Sequence, residues 1–169
     1  MTFPFPNDTA ADPTASPPAD TVPLGEDTID ALQVALAAEH AALWAYGLVA
    51  AYDETAADTV TTMVANHQGT RDVAANLIVS GGATPVGPHP AYTPPQPVTD
   101  AASALQLALT IEMDCAGAWR GVIGATDDSA LRGTALSALT DSALRMVTWR
   151  KQGSLTPLTV PLPGMPQNG

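Results

Sequence analysis

Residues 27–51 read DTIDALQVALAAEHAALWAYGLVAA, and this stretch decides the fold. Its larger apolar residues, Ile29, Leu32, Leu36, Leu43 and Tyr46, recur at spacings of three and four, and Glu39 lies in the same row. That spacing marks one face of an α-helix. Alanine fills most other positions; it is the best helix former, and its small side chain lets helices approach closely. A carboxylate in an apolar row is costly unless it is paired or holds a metal, so Glu39 needs a partner.

The same pattern returns three times. The first helix is expected from about Asp27 to Ala51, with Asp27 as its N-cap, and a second from about Glu54 to Ser80, capped by Asp53 and stopped by Gly81 and Gly82. A third is expected from about Thr99 to Gly124. A fourth should start at Thr126-Asp127-Asp128 and end near Gln152, with Gly153 as the stop. Each, at about 25 residues, is roughly 38 Å long. The second helix carries the row Val60, Val64, His67, Arg71, Ala74, Ile78; the third carries Leu105, Ala108, Glu112, Cys115, Trp119, Val122. The fourth is less clean, with Leu136, Leu139, Ala143, Met146 and Arg150 in one row and Asp141, Ser142 and Arg145 beside it.

Short turns join the first helix to the second and the third to the fourth, which makes each pair an antiparallel hairpin. Between the hairpins, residues 81–98, GGATPVGPHPAYTPPQPV, hold six prolines and are long enough to cross the long axis of a bundle. The expected architecture is therefore all-α: a four-helix bundle of two antiparallel hairpins and one long Pro-rich crossover. It would occupy residues 26–153, between a disordered Pro-rich tail at 1–25 and a Pro-rich extension at 154–169 that lies against the bundle.

A weak internal repeat supports this. A shift of 73 carries Glu39 onto Glu112 and Tyr46 onto Trp119; a shift of 74 carries His67 onto Asp141 and Arg71 onto Arg145. Glu39, His67, Glu112 and Asp141 each fall near the middle of a helix, and antiparallel packing brings midpoints to one height. Two readings of that layer remain open. In one, the four residues are ligands of a single Fe, Mn or Zn ion. In the other, Glu39 and Glu112 pair with Arg71 and Arg145 in a polar core network, because a permanently charged Arg opposes a dication and cannot bind one.

Over about residues 27–152 the arrangement resembles the ferritin-like superfamily of di-iron carboxylate proteins, and more closely an uncharacterised, Ala-rich actinobacterial branch of it. Glu39 and Glu112 match the first-helix and third-helix glutamates of that superfamily. Its metal-binding members also carry Glu-x-x-His on the second and fourth helices. This chain has no such motif: three residues beyond His67 stands Thr70, and three beyond Asp141 stands Leu144.

Charge and composition narrow the function. Seventeen acidic against six basic residues give a net charge of −11, which argues against nucleic acid and against an anionic membrane surface as partners. Cys115 is the only cysteine, so neither an intramolecular disulfide nor a cysteine metal cluster can form, and it reads as a small core residue. The start, MTFPFPNDTA, has no basic region or apolar run of signal-peptide kind. No stretch approaches the roughly 18 apolar residues of a membrane span. A cytoplasmic location is the expectation.

His40, adjoining Glu39, is expected at the surface or an interface, and His89, between prolines, in solvent. Trp44, Trp119 and Trp149 read as packing residues, and Asp72 and Asp114 as exposed helix acids. The leading functional expectation is a non-catalytic structural or interaction module, a homodimer or a partner-binding protein, without cofactor. The alternative is an iron- or manganese-dependent oxidoreductase or iron-handling protein. The third reading is a small-molecule binder whose pocket includes Tyr46 and Trp119.

Overall fold

A computed structural model describes residues 24–165, and among these there are four long helices and no strand. The tail expected at 1–25 lies outside the described residues except for Leu24 and Gly25. Helix α1 spans Glu26–Tyr52, α2 Ala57–Ser80, α3 Ala101–Ala125 and α4 Ser129–Gln152.

The boundaries follow local chemistry. Asp100 accepts from the Ser103 amide while Ser103 reaches back to the Asp100 amide, a capping box that opens α3. Asp128 accepts from the Leu131 amide at 2.8 Å and opens α4. Asp53 accepts from Thr55, but a single 3-10 turn, Glu54–Ala56, precedes α2. Asp27 does not cap α1: the helix begins at Glu26 after Gly25, with no side-chain cap, and Asp27 lies inside its first turn. Gly82 closes α2 at φ +83°, where the Ala83 amide bonds back to Ile78. After α4 the left-handed position falls on Ser154 rather than Gly153.

Helix α1 packs against α2 and α3, and α3 packs against α4. The crossover climbs along α1. Gln33 bonds Thr84 and Val86, the His40 ring bonds the Val86 carbonyl at 3.2 Å, and Trp44 packs on Tyr92. It thereby delivers α3 at the end where α1 finishes, and α3 runs back until the Ala125 carbonyl accepts from Thr28 at the start of α1. The directions are up, down, down, up.

Two apolar clusters fill the interior. Leu32, Leu36, Ile78, Val122 and Leu131 lie toward the start of α1; Val49, Val60, Met63, Leu107 and Trp149 lie toward its end. The layer between them is polar. Helix α1 is, by length and composition, apolar enough to cross a membrane, against expectation, because alanine fills it and charge gathers at its first turn and midpoint. Here it is a core helix, and its central Glu39 is fully buried. Beyond α4 the chain folds back: Arg150 donates to the Pro157 carbonyl and Gly164 seats on Gly117.

Candidate functional site

The polar layer is built from all four helices. Glu39, His67 and Glu112 have no exposed surface, and Arg145 is 6 % exposed. His67 stands between the two glutamates, with Nδ1 2.6 Å from Glu39 Oε2 and Nε2 3.1 Å from Glu112 Oε1. Arg145 Nε donates to Glu112 Oε2 at 2.8 Å, and its Nη2 donates to the buried Ser142 hydroxyl at 2.8 Å. The Tyr46 hydroxyl donates to Glu112 Oε1 at 2.6 Å and accepts from Trp149 Nε1 at 2.8 Å. Trp119 Nε1 donates to Glu39 Oε1 at 2.8 Å. Among the described residues no buried side-chain nitrogen or oxygen lacks a partner.

Two sequence-expected members do not join this layer. Arg71 turns outward and forms its ion pair with neighbouring Asp72 at 2.6 Å, with a third of its side chain exposed. The two bonds that Glu39 accepts, from His67 and Trp119, already occupy both its oxygens, and a long Arg stem readily carries its head to water. Asp141 is exposed. The buried stripe of α4 runs through Leu131, Ala135, Ala138, Ser142, Arg145, Met146 and Trp149, and Asp141 lies about 90° round the helix from its centre at 3.6 residues per turn. Glu39, His67 and Glu112 therefore converge without Asp141.

Five participants were not foreseen as such: Tyr46, Trp119 and Trp149 as donors, Ser142 as an acceptor, and Cys115 as a neighbour. Ligand atoms of Glu39, His67 and Cys115 all lie within 4.8 Å of one another. The polar tips of Tyr and Trp need partners when buried, so aromatics two turns beyond each glutamate were a usable signal.

Protonation follows from the charges. Burial disfavours a charged His67, but its hydrogen bonds to Glu112 and Glu39, and their negative charge, outweigh burial and raise its pKa. Burial likewise works against Arg145, and Glu112 overcomes it. Burial, with the charges of Glu39 and Glu112 beside it, lifts the Cys115 thiol far above its usual range, and burial next to Glu112 does the same to Tyr46. Asp114, exposed but partly desolvated, is also raised.

A second feature adjoins it. Helices α2 and α4 stand apart on the one side of the bundle where neighbours do not pack, leaving an open groove of about 880 Å³. Trp119 and Arg145 reach its floor, and Asn66 and Asp141 stand on its walls.

Fold and site together define an all-α bundle whose middle layer is a buried, fully hydrogen-bonded polar network. Residues 31–167 match a domain of unknown function, DUF4439, and the chain belongs to that family. It is similar in structure to a conserved hypothetical protein, rv2844, from Mycobacterium tuberculosis: 32 % identical, covering 81 % of this chain and 97 % of that one, with a TM-score of 0.73. No curated protein matches it.

Proposed function

We propose that the chain is a non-catalytic, ferritin-like binding module in which an ion network stands where metal-binding members of that superfamily hold iron. One observation carries this reading: the Arg145 guanidinium lies inside the layer, 2.8 Å from Glu112. A fixed cation there opposes a dication. The remaining donors are unsuited as well. Both ring nitrogens of His67 are engaged, by Glu39 and by Glu112, and burial beside those carboxylates pushes the Cys115 thiol up, whereas metal ligands must be deprotonated. The cluster of Glu39, His67 and Cys115 thus has the proximity of a metal site, but its nitrogen and oxygen donors are already engaged by protein partners.

The same reading makes this a cytoplasmic protein that works by contact with a small molecule, a partner or a second copy of itself. A net charge of −11 keeps it off nucleic acid and anionic lipid. Untagged protein, grown with added iron and manganese, tests the proposal by elemental analysis. Substoichiometric metal is expected, unchanged in Glu39→Gln. One Fe or Mn per chain, lost in that variant, overturns it.

A further inference from the structure

The groove between α2 and α4 has an uneven supply of hydrogen-bonding groups, and that imbalance describes its ligand. Five wall hydroxyls are committed to their own helices. Thr62 and Thr70 on α2 donate to Asp58 and Asn66, four residues back. Thr134, Ser137 and Thr148 on α4 do the same with Ala130, Gly133 and Leu144. A hydroxyl whose proton is engaged offers only lone pairs. These five positions thus present acceptors, while the Asn66 amide and the Thr59 hydroxyl on the α2 wall keep donors.

Asp141 adds a carboxylate. It stands one turn before Arg145, the spacing at which opposite charges normally pair. They do not pair, because Arg145 turns inward to Glu112 and Ser142. Among the described residues the Asp141 carboxylate has no ion pair or hydrogen-bond partner. Arg145 uses Nε and Nη2 for its two bonds, so Nη1 is free of both. No buried side-chain nitrogen among the described residues lacks a partner, so Nη1 must open onto surface, and the surface that Arg145 lines is this groove. The floor therefore presents one guanidinium edge, itself almost buried, and the wall beside it one unpaired carboxylate.

The geometry points to a binding site for a small amino-carboxylate, with its carboxylate on the Arg145 Nη1 edge and its ammonium on Asp141 and the wall hydroxyls. A simple anion meets Asp141 and those acceptors. A simple cation meets Arg145. A molecule with both charges satisfies both groups, in a groove of about 880 Å³. This inference rests on the reading of the chain as a binding module.

The test is an amide NMR titration of the full chain with γ-aminobutyrate, and with butyrate and butylamine as single-charge controls. Metal content is measured on the same sample, so that a failure of the metal-free reading registers separately. The expected result is saturable shifts at Asn66, Gly69, Ser137 and Asp141 with γ-aminobutyrate. Each control and Asp141→Asn should bind about tenfold more weakly or worse, the loss of one charged hydrogen bond. Asp141 is exposed, so the variant keeps the fold. Equal binding of butylamine, shifts confined to other surfaces, or no shift with γ-aminobutyrate each overturn the site.

Discussion

Tyr46 and Trp119 each stand two helical turns beyond a glutamate, and each donates its polar hydrogen to the other's: Tyr46 to Glu112, Trp119 to Glu39. The sequence repeat is thus expressed as a near-twofold exchange between α1 and α3, with His67 bridging both carboxylates. Removing either donor leaves a buried carboxylate oxygen short of a bond. Trp119→Phe should cost about 1–3 kcal/mol, and Tyr46→Phe should fall at the upper end of that range, because it also strands Trp149 Nε1. Urea unfolding measures both. Because His67 links the two glutamates, the double variant should depart from the sum of the singles. Losses of only a few tenths for both singles would mean that the donors contribute packing alone.

Stability should fall as pH rises through and above the ordinary histidine range. His67 has a raised pKa in the folded chain, so the native state holds its proton where the unfolded state has released it. Its contribution is complete below the unfolded pKa of about 6.5 and is lost as pH climbs through the higher folded value, at up to about 1.4 kcal/mol per pH unit. Cys115, also raised, adds a loss of the same sign above about 8.5, where an unfolded thiol ionises. Urea midpoints from pH 6 upward measure the slope. In His67→Gln the lower part of that slope should vanish; its persistence would assign it to another group.

The arginines of the repeat are not equivalent, and this separates what was legible in the sequence from what was not. Arg145→Met should cost about 3–5 kcal/mol, because it leaves the buried Glu112 carboxylate without the cation on its Oε2. Arg71→Met should stay within about 0.5 kcal/mol, since an exposed pair with Asp72 contributes little. Thermal unfolding of the two variants decides it, and comparable losses would place Arg71 in the core after all.

The helices, their short turns and the crossover were readable because periodicity, caps and prolines are local. Glu39 and Glu112 were readable because a carboxylate in an apolar row is conspicuous. Arg71 misled because its spacing from His67 and Ala74 fits the buried row, while its length lets the head leave. Asp141 misled because on α4 the inward polar position belongs to its neighbour Ser142, a one-residue difference of about 100° that no weak repeat can register. The donor roles of Trp119 and Trp149 depend on which helices face each other, which is information of the fold and not of the row.

The C-terminal segment is held by a backbone-to-backbone fit. Gly164 adopts φ +79°, and a Cβ placed there would lie 2.5 Å from the Gly117 nitrogen and 2.6 Å from the Ala116 carbonyl carbon. Neither main-chain atom can move without disturbing α3, and a left-handed conformation adds about 1–2 kcal/mol for any residue with a Cβ. Gly164→Ala should therefore release the segment that follows α4 and break the bond from the Gly164 amide to Met113 Sδ. The ion network lies elsewhere, so the bundle itself should unfold at nearly the same temperature. Limited proteolysis should then cut within residues 154–165 faster than in the parent chain, while the four helices survive. Unchanged cleavage would show that the fit at Gly117 is not what holds the segment down.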